Sequence, residues 1–149
     1  MPGAPEQIKP KVLGDYLEVM SKAVFQTGIS WRVVDNKWAG IRDALRGFDA
    51  ATVASLGPSD IEQLMQDTRV IRNRRKLEAI VDNARTMIDL EAQHGSFRKY
   101  LRSFPDYESR VKDMRNQFRF LGETGCYMFL YIVGEPVPDY HEWRESQEK

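Results

Sequence analysis

One stretch of the sequence, FLGETGCYMFLYIV from Phe120 to Val133, joins a glycine-rich turn to an almost wholly apolar helix. A helix that is apolar on most sides has to be buried. Gly122 and Gly125 let the backbone turn sharply before this helix, and the amides of its first turn are left unpaired. Free N–H groups and the helix dipole attract anions, so the segment predicts a helix-hairpin-helix motif that grips a DNA backbone without reading sequence.

The predicted backbone contacts of this hairpin come from Gly122, Thr124 and Gly125, with positive charge added by Arg119 just before the turn. An ordinary connection between two helices is the alternative, because glycine turns between helices are common. Glu123 favours that alternative, since its charge would repel a phosphate unless the side chain turns away.

Apolar residues recur at spacings of three and four along most of the chain, and no alternating strand pattern competes with them. Pro58 is placed to open a helix, and Gly95-Ser96 to close one helix and cap the next. These patterns predict an all-α, compact multi-helix domain spanning residues 1–149, with flexible ends at 1–10 and 144–149. The clearest repeats are Leu13, Tyr16, Leu17, Met20 and Val24, then Leu77, Ile80, Val81, Ala84, Met87 and Ile88.

Charge is balanced overall, at 22 basic and 22 acidic residues, so composition alone does not indicate nucleic-acid binding. The segment from Arg69 to Lys76 is nevertheless strongly basic. Arg72 and Arg74 are its candidates for phosphate contacts, and the alternative is a solvated helix start whose arginines pair with nearby acids. The single cysteine, Cys126, cannot form an internal disulfide, and we expect it to be a core residue. No apolar run is long enough to cross a bilayer, so we expect a soluble, cytoplasmic protein. We further expect a monomer that needs no cofactor.

A second stretch, Gln26-Thr27-Gly28-Ile29-Ser30-Trp31, leads small and branched residues directly into a tryptophan. Such a wedge is suited to filling the gap that an extruded base leaves in a duplex. The alternatives are a helix terminus with a glycine cap for residues 26–29 and core filling for Trp31.

The two stretches and the sequence between them resemble the bacterial DNA-3-methyladenine glycosylase I family of the helix-hairpin-helix superfamily, from about Leu17 to Tyr140. The second stretch corresponds to the family's Gln-Ala-Gly-Leu-Ser-Trp. Further matches occur in the family's order: Gly47-Phe48-Asp49, Val70-Ile71-Arg72-Asn73-Arg74 with Lys76, Asn83-Ala84-Arg85, Gly95-Ser96-Phe97, and Phe118-Arg119-Phe120-Leu121-Gly122 leading to Cys126-Tyr127.

The resemblance implies base-excision repair of double-stranded DNA. The protein would rotate an alkylated purine such as 3-methyladenine out of the duplex and hydrolyse its N-glycosidic bond. Trp31 matches the family's stacking tryptophan, and Gln26, Thr27, Gly28 and Ile29 match its wedge. Tyr16 is a candidate replacement for a pocket tyrosine, with core packing as the alternative.

The sequence departs from the family at functional positions. Ala23 stands where the family has its pocket carboxylate, and the family's Cys-Gly-Trp and Tyr-His-Asp-x-Glu-Trp-Gly stretches have no counterpart. A zinc site is therefore not expected. Asp139 is a candidate stabiliser of the developing sugar cation, and a helix-cap or surface aspartate is the alternative. A non-catalytic DNA-binding or damage-sensing module, and a scaffold with neither activity, remain as rival hypotheses.

Overall fold

The computed structural model describes residues 4–148, and this part of the chain contains helices and no strand. The all-α fold class is therefore confirmed. A single 3-10 turn, Arg46–Phe48, lies between the second and third α-helices. The helices are α1 (Leu13–Gln26), α2 (Trp31–Ala44), α3 (Ala50–Ala54), α4 (Pro58–Met65), α5 (Arg74–His94), α6 (Phe97–Leu101), α7 (Tyr107–Gln117), α8 (Glu123–Ile132) and α9 (Tyr140–Gln147).

The longest helix, α5, forms the centre of the domain and contacts α1, α3, α4 and α6. It begins where the Asn73 side chain accepts a hydrogen bond from the Lys76 amide, at 3.1 Å. It ends at Gly95, whose φ of +91° is the left-handed conformation that glycine adopts without strain. Ser96 then caps α6 by accepting from the Lys99 amide, and Pro58 occupies the first turn of α4. These three predicted boundaries are confirmed.

Two apolar helices, α1 and α8, pack against each other in the core. Leu17, Met20 and Val24 of α1 and Phe129 and Leu130 of α8 are fully buried. Burying such side chains contributes roughly 1.5–3 kcal/mol each relative to leaving them in water. This packing places the carboxyl end of α1 and the amino end of α8 on the same region of the surface.

The two ends of the described chain lie against α8. The Ile8 amide donates to the Ile132 carbonyl at 2.8 Å. Trp143 of α9 stacks on Tyr127 with ring centroids 3.9 Å apart. The flexibility expected of residues 1–10 and 144–149 stays a prediction, and residues 1–3 and 149 lie outside the described part. Over residues 4–148, the helices are too short or too polar to cross a membrane.

Candidate functional site

The wedge loop, residues 26–29, lies on the surface between α1 and α2. Thr27 and Gly28 are exposed. Gly28 has a φ of +74°, and no atom lies within 4 Å of the position that a Cβ would occupy. Glycine is therefore required here by the turn itself, because other residues are strained at such an angle. The loop is open to solvent on this side.

Trp31 is the first residue of α2 and is 53% exposed, beside Val33 at 46%. Trp38, in the same helix, is the tryptophan that packs inward. Its ring stacks on Phe48 at 5.3 Å, and its Nε1 donates to Glu18 at 2.9 Å. Core filling therefore describes Trp38, whereas Trp31 presents a large apolar surface to solvent, as binding sites commonly do.

Within residues 4–148, no side chain caps the amides at the amino end of α8. Gly122 precedes the helix, and the first intrahelical bond runs from the Cys126 amide to the Gly122 carbonyl at 2.9 Å. The amides of Glu123, Thr124 and Gly125 come before that bond and face the open end of the helix. This is the arrangement that an anion needs at a helix N-terminus.

The Glu123 side chain turns toward α7, where its carboxylate accepts from Arg115 at 3.3 Å. The negative charge is thereby drawn to one side of the helix end and partly compensated. The electrostatic objection to a phosphate at this position is correspondingly weaker.

Helices α1 and α8 approach closely at Gly125 and Ala23. A Cβ placed on Gly125 would lie 3.1 Å from Leu121 Cδ1 and 3.8 Å from Ala23 Cβ. Ala23 is one helical turn before the wedge loop, so the loop and the open end of α8 are neighbours. The position that carries the family's pocket carboxylate therefore faces the hairpin, but here it is an alanine.

Helix α5 contacts both the wedge loop and the segment that precedes the hairpin. At its start, buried Lys76 donates from Nζ to the Phe25 carbonyl at 3.1 Å and also to the Thr27 carbonyl. Two turns later, buried Asn83 accepts from the Arg119 amide at 2.8 Å and donates to the Arg119 carbonyl at 3.1 Å. One rigid element thus fixes both parts of the predicted DNA-binding surface.

The predicted phosphate-binding arginines divide into two groups. Arg74 pairs with Glu62 at 2.5 Å, as the alternative of local ion pairing for its segment requires, and Arg119 pairs with Asp82 at 2.5 Å. Arg72 is exposed and has no ion pair within residues 4–148. Arg75 likewise has none in that range, and its guanidinium lies 5.8 Å from the centre of the Phe120 ring. The unpaired charge of Arg75 therefore borders the hairpin, and Arg72 lies three residues before Arg75 in the chain.

Asp139 caps α9, since its carboxylate accepts from the amides of His141 at 3.1 Å and Glu142 at 3.2 Å. The neighbouring Pro138 carbonyl accepts from the Tyr127 hydroxyl at 2.6 Å. These contacts place Asp139 beside α8 and α9, and none of them joins it to Trp31. The helix-cap alternative describes its contacts, and its catalytic role stays a prediction.

Tyr16 is 7% exposed and packs on Phe97 and Phe129, with ring centroids 5.1 and 6.2 Å away. Burial raises the pKa of its hydroxyl above the ordinary value, opposed by the nearby Arg98. Ten residues of helix separate it from Gln26, which is about 15 Å along the axis. The structure does not bring Tyr16 together with Trp31.

Cys126 is fully buried, as expected, and burial raises the pKa of its thiol to about 12. Such a thiol stays protonated and is a core residue. Within residues 4–148, no three His, Cys, Asp or Glu side chains come together in a way that could hold a metal ion. The residues present therefore do not fit the family's zinc site.

The sequence did not indicate that Lys76 and Asn83 belong to this site. Lys76 was grouped with the surface arginines before it, although it is 4% exposed. The available signal was helical spacing, because positions 76, 80, 83, 84 and 87 share one face with the apolar residues of α5.

The family pattern described as methyladenine glycosylase matches residues 14–117. A DNA-3-methyladenine glycosylase of Haemophilus influenzae is 32% identical over 130 residues, covering 73% of this chain and 70% of that protein. A crystal structure of 3-methyladenine DNA glycosylase I is 26% identical, with a TM-score of 0.73 over 85% of this chain and 81% of that one. A variant of such an enzyme in complex with 3-methyladenine is 25% identical, with a TM-score of 0.74 over 87% and 81%. The fold, the order of the motifs and these matches agree: this chain belongs to the methyladenine glycosylase family.

Proposed function

We propose that this protein is a base-excision repair glycosylase that extrudes alkylated purines, such as 3-methyladenine, from double-stranded DNA and hydrolyses their N-glycosidic bond. The observation that carries the proposal is the exposed Trp31 just after the wedge loop, which emerges from α1 where that helix approaches the uncapped amino end of α8 at Gly125. Family membership supplies the reaction class. A monomer acting in the cytoplasm of a bacterial cell is part of the proposal.

The DNA backbone is proposed to bind at the hairpin. The amides of Thr124 and Gly125 face a phosphate at the end of α8, Arg75 adds unpaired positive charge beside Phe120, and Arg72 adds it in the segment that leads into α5. Contacts of this kind position a duplex without reading its sequence. A repair enzyme needs this property, because damage occurs in every sequence context.

Base extrusion is assigned to the wedge loop and Trp31. Residues 26–29 enter the duplex, and the indole receives the extruded base on its exposed face. Unstacking costs a few kcal/mol, and a weakened damaged pair lowers that cost. A cationic methylated purine over the indole recovers about 0.5–2 kcal/mol through cation–π attraction.

The bond cleavage needs no general acid on the base. The oxygen of a water molecule attacks C1′ of the sugar, the bond from C1′ to the purine nitrogen breaks, and its electron pair neutralises the cationic base. One proton of the water passes to solvent. The sugar develops positive charge on the way, which a carboxylate stabilises electrostatically; Asp139 is the proposed carboxylate.

A second function is a non-catalytic, damage-sensing DNA-binding module. Two observations favour it: Ala23 occupies the position of the family's pocket carboxylate, and the contacts of Asp139 cap α9 rather than reach the wedge loop. Such a module would retain the hairpin, the wedge and the stacking surface.

The test is the release of free 3-methyladenine and 7-methylguanine from methylated duplex DNA. Trp31→Ala is expected to lower release by about 2- to 30-fold, with duplex affinity largely unchanged, because the base loses the roughly 0.5–2 kcal/mol of attraction to the indole. Val33→Ala is the matched control, since it removes exposed apolar surface from the same helical turn. Equal release by Trp31→Ala and the unmodified protein would remove Trp31 from the site.

Asp139→Asn tests whether Asp139 is the carboxylate that stabilises the sugar cation. Asparagine caps helices as well as aspartate does, so α9 is retained while the charge is lost. Loss of release identifies Asp139 as the stabiliser of the sugar cation, and unchanged release refutes that role. Salt-sensitive duplex binding by the folded, unmodified protein without any release establishes the damage-sensing module instead.

A further inference from the structure

The last turn of α1, from which the wedge loop emerges, has an unusual arrangement of hydrogen bonds. The turn itself satisfies three carbonyls. Thr27 donates from its hydroxyl to Ala23 and from its amide to Val24, and the Ile29 amide donates to Gln26. The carbonyls of Phe25 and Thr27 are satisfied by Lys76 of α5, which lies 51 and 49 residues further along the chain.

We propose that Lys76 is a positioning residue for base extrusion, because it locks the wedge loop to α5 through these two carbonyls. This inference rests on the proposed function. Lys76 is 4% exposed, so its ammonium group has given up most of its water and its position is tightly defined. Its charge also lies at the carboxyl end of α1, where the helix dipole favours a cation.

The same helix that holds the wedge carries the phosphate-facing charge. Lys76 directly follows Arg75 in the first turn of α5, and Asn83 of that helix fixes Arg119 ahead of the hairpin. When the hairpin binds a duplex, the hydrogen bonds of Lys76 therefore fix how far the wedge loop projects toward the DNA. Without this lock the loop is held by its helix ends and by the packing of Ile29 on the core, so the exposed Thr27 and Gly28 have to be ordered before they enter the duplex.

Because Lys76 is buried, a positioning role has to be separated from simple stabilisation of the fold, and the chain offers a control in a second, more exposed side chain of α5 that bonds two carbonyls. Arg85, nine residues further along α5, donates from Nε to the Ala54 carbonyl at 2.8 Å. It also donates from its terminal nitrogen to the Leu56 carbonyl at 3.1 Å. It therefore ties the end of α3 to α5 by the same chemistry, away from the wedge loop. Losing either tie is expected to lower stability, but only the loss of Lys76 is expected to impair extrusion.

The experiment measures extrusion directly in the full-length protein. The probe is a duplex in which 2-aminopurine neighbours a 3-methyladenine analogue with a non-hydrolysable bond, and 2-aminopurine fluorescence rises when its neighbour unstacks. Lys76→Met is expected to lower the extruded fraction at saturating protein by about 10-fold, since small misplacements near a reacting site cost up to about 100-fold. Its duplex affinity is expected to stay within about threefold, because the phosphate contacts lie elsewhere. Lys76→Arg, which keeps the charge and donors, is expected to restore most of the signal.

An equal loss of extrusion in Lys76→Met and Arg85→Met, measured at a temperature where circular dichroism shows both to be folded, would overturn the positioning role. Should Lys76→Met fail to fold, Lys76→Gln keeps an amide donor for one carbonyl and is measured instead, with the same expectation. Absence of a fluorescence rise in the unmodified protein would refute extrusion itself, and the positioning role with it. If the unmodified protein releases the base but Lys76→Met leaves extrusion unchanged, the positioning role alone is refuted.

Discussion

Replacement of Asn83 by alanine tests whether the hairpin is held in place from the core. The Asn83 side chain is 1% exposed and makes two hydrogen bonds to the backbone of Arg119, at 2.8 and 3.1 Å. Alanine removes both and leaves a backbone amide and carbonyl without partners in a partly buried position. Each unsatisfied group costs about 1–3 kcal/mol, so we expect the free energy of unfolding to fall by about 2–6 kcal/mol. For a chain of this length, that corresponds to a lowering of Tm by roughly 4–24 °C.

The loss is measured by urea unfolding followed by far-ultraviolet circular dichroism, with Asn36→Ala as the control because Asn36 is exposed on α2. Duplex affinity, measured by fluorescence anisotropy on the folded variant, is expected to fall as well, since the segment before Gly122 is no longer fixed. A change below about 1 kcal/mol in the unfolding free energy would show that the two hydrogen bonds do not hold the hairpin.

Three further predictions concern charge and burial. The double variant Arg72→Gln, Arg75→Gln is expected to weaken duplex binding for all sequences. The slope of log affinity against log salt concentration is expected to fall by about two. An unchanged slope would exclude both arginines from phosphate contacts. Cys126 is expected to resist thiol reagents in the folded protein up to about pH 10, because burial raises its pKa to about 12, and rapid labelling at pH 8 without denaturant would contradict the buried position. Ala23→Glu, which returns a carboxylate beside Gly125, is expected to raise base release severalfold if the extruded base reaches this position, and unchanged release in a folded variant would place the base elsewhere.

The helices were predictable from the sequence because their signals are local. The apolar periodicity of α1 and α5, the cap at Ser96 and the left-handed glycine at Gly95 each depend on residues within a few positions of one another. The exposure of Trp31 was not decided by such signals, since a tryptophan at a helix start can face either way. The family resemblance, rather than periodicity, favoured the exposed stacking role.

The features that the sequence could not predict depend on side-chain contacts between segments that are far apart in the chain or on different helices. In the sequence, the charge of Glu123 argues against phosphate binding. In the structure, Arg115 of α7 pairs with it, eight residues earlier in the chain but on another helix. Lys76 follows a run of exposed arginines, and only the tertiary packing of α5 on α1 shows that it is buried. Asp139 had two interpretations of equal standing in the sequence, and the amides that it caps became visible only with α9 in place.

The substitution of Ala23 for a carboxylate is compatible with catalysis because the substrate carries much of the driving force itself. A cationic alkylated purine becomes neutral when its bond breaks, so the leaving group needs no proton from the protein. What the protein has to supply is extrusion, which costs a few kcal/mol, and access of water to C1′. The phosphates flanking the extruded nucleotide are themselves anionic and lie close to the developing sugar cation. We therefore expect the proposed site of Trp31, the wedge loop and the open end of α8 to accelerate release of such bases, whereas neutral damaged bases, which need a proton donor, are expected to be poor substrates.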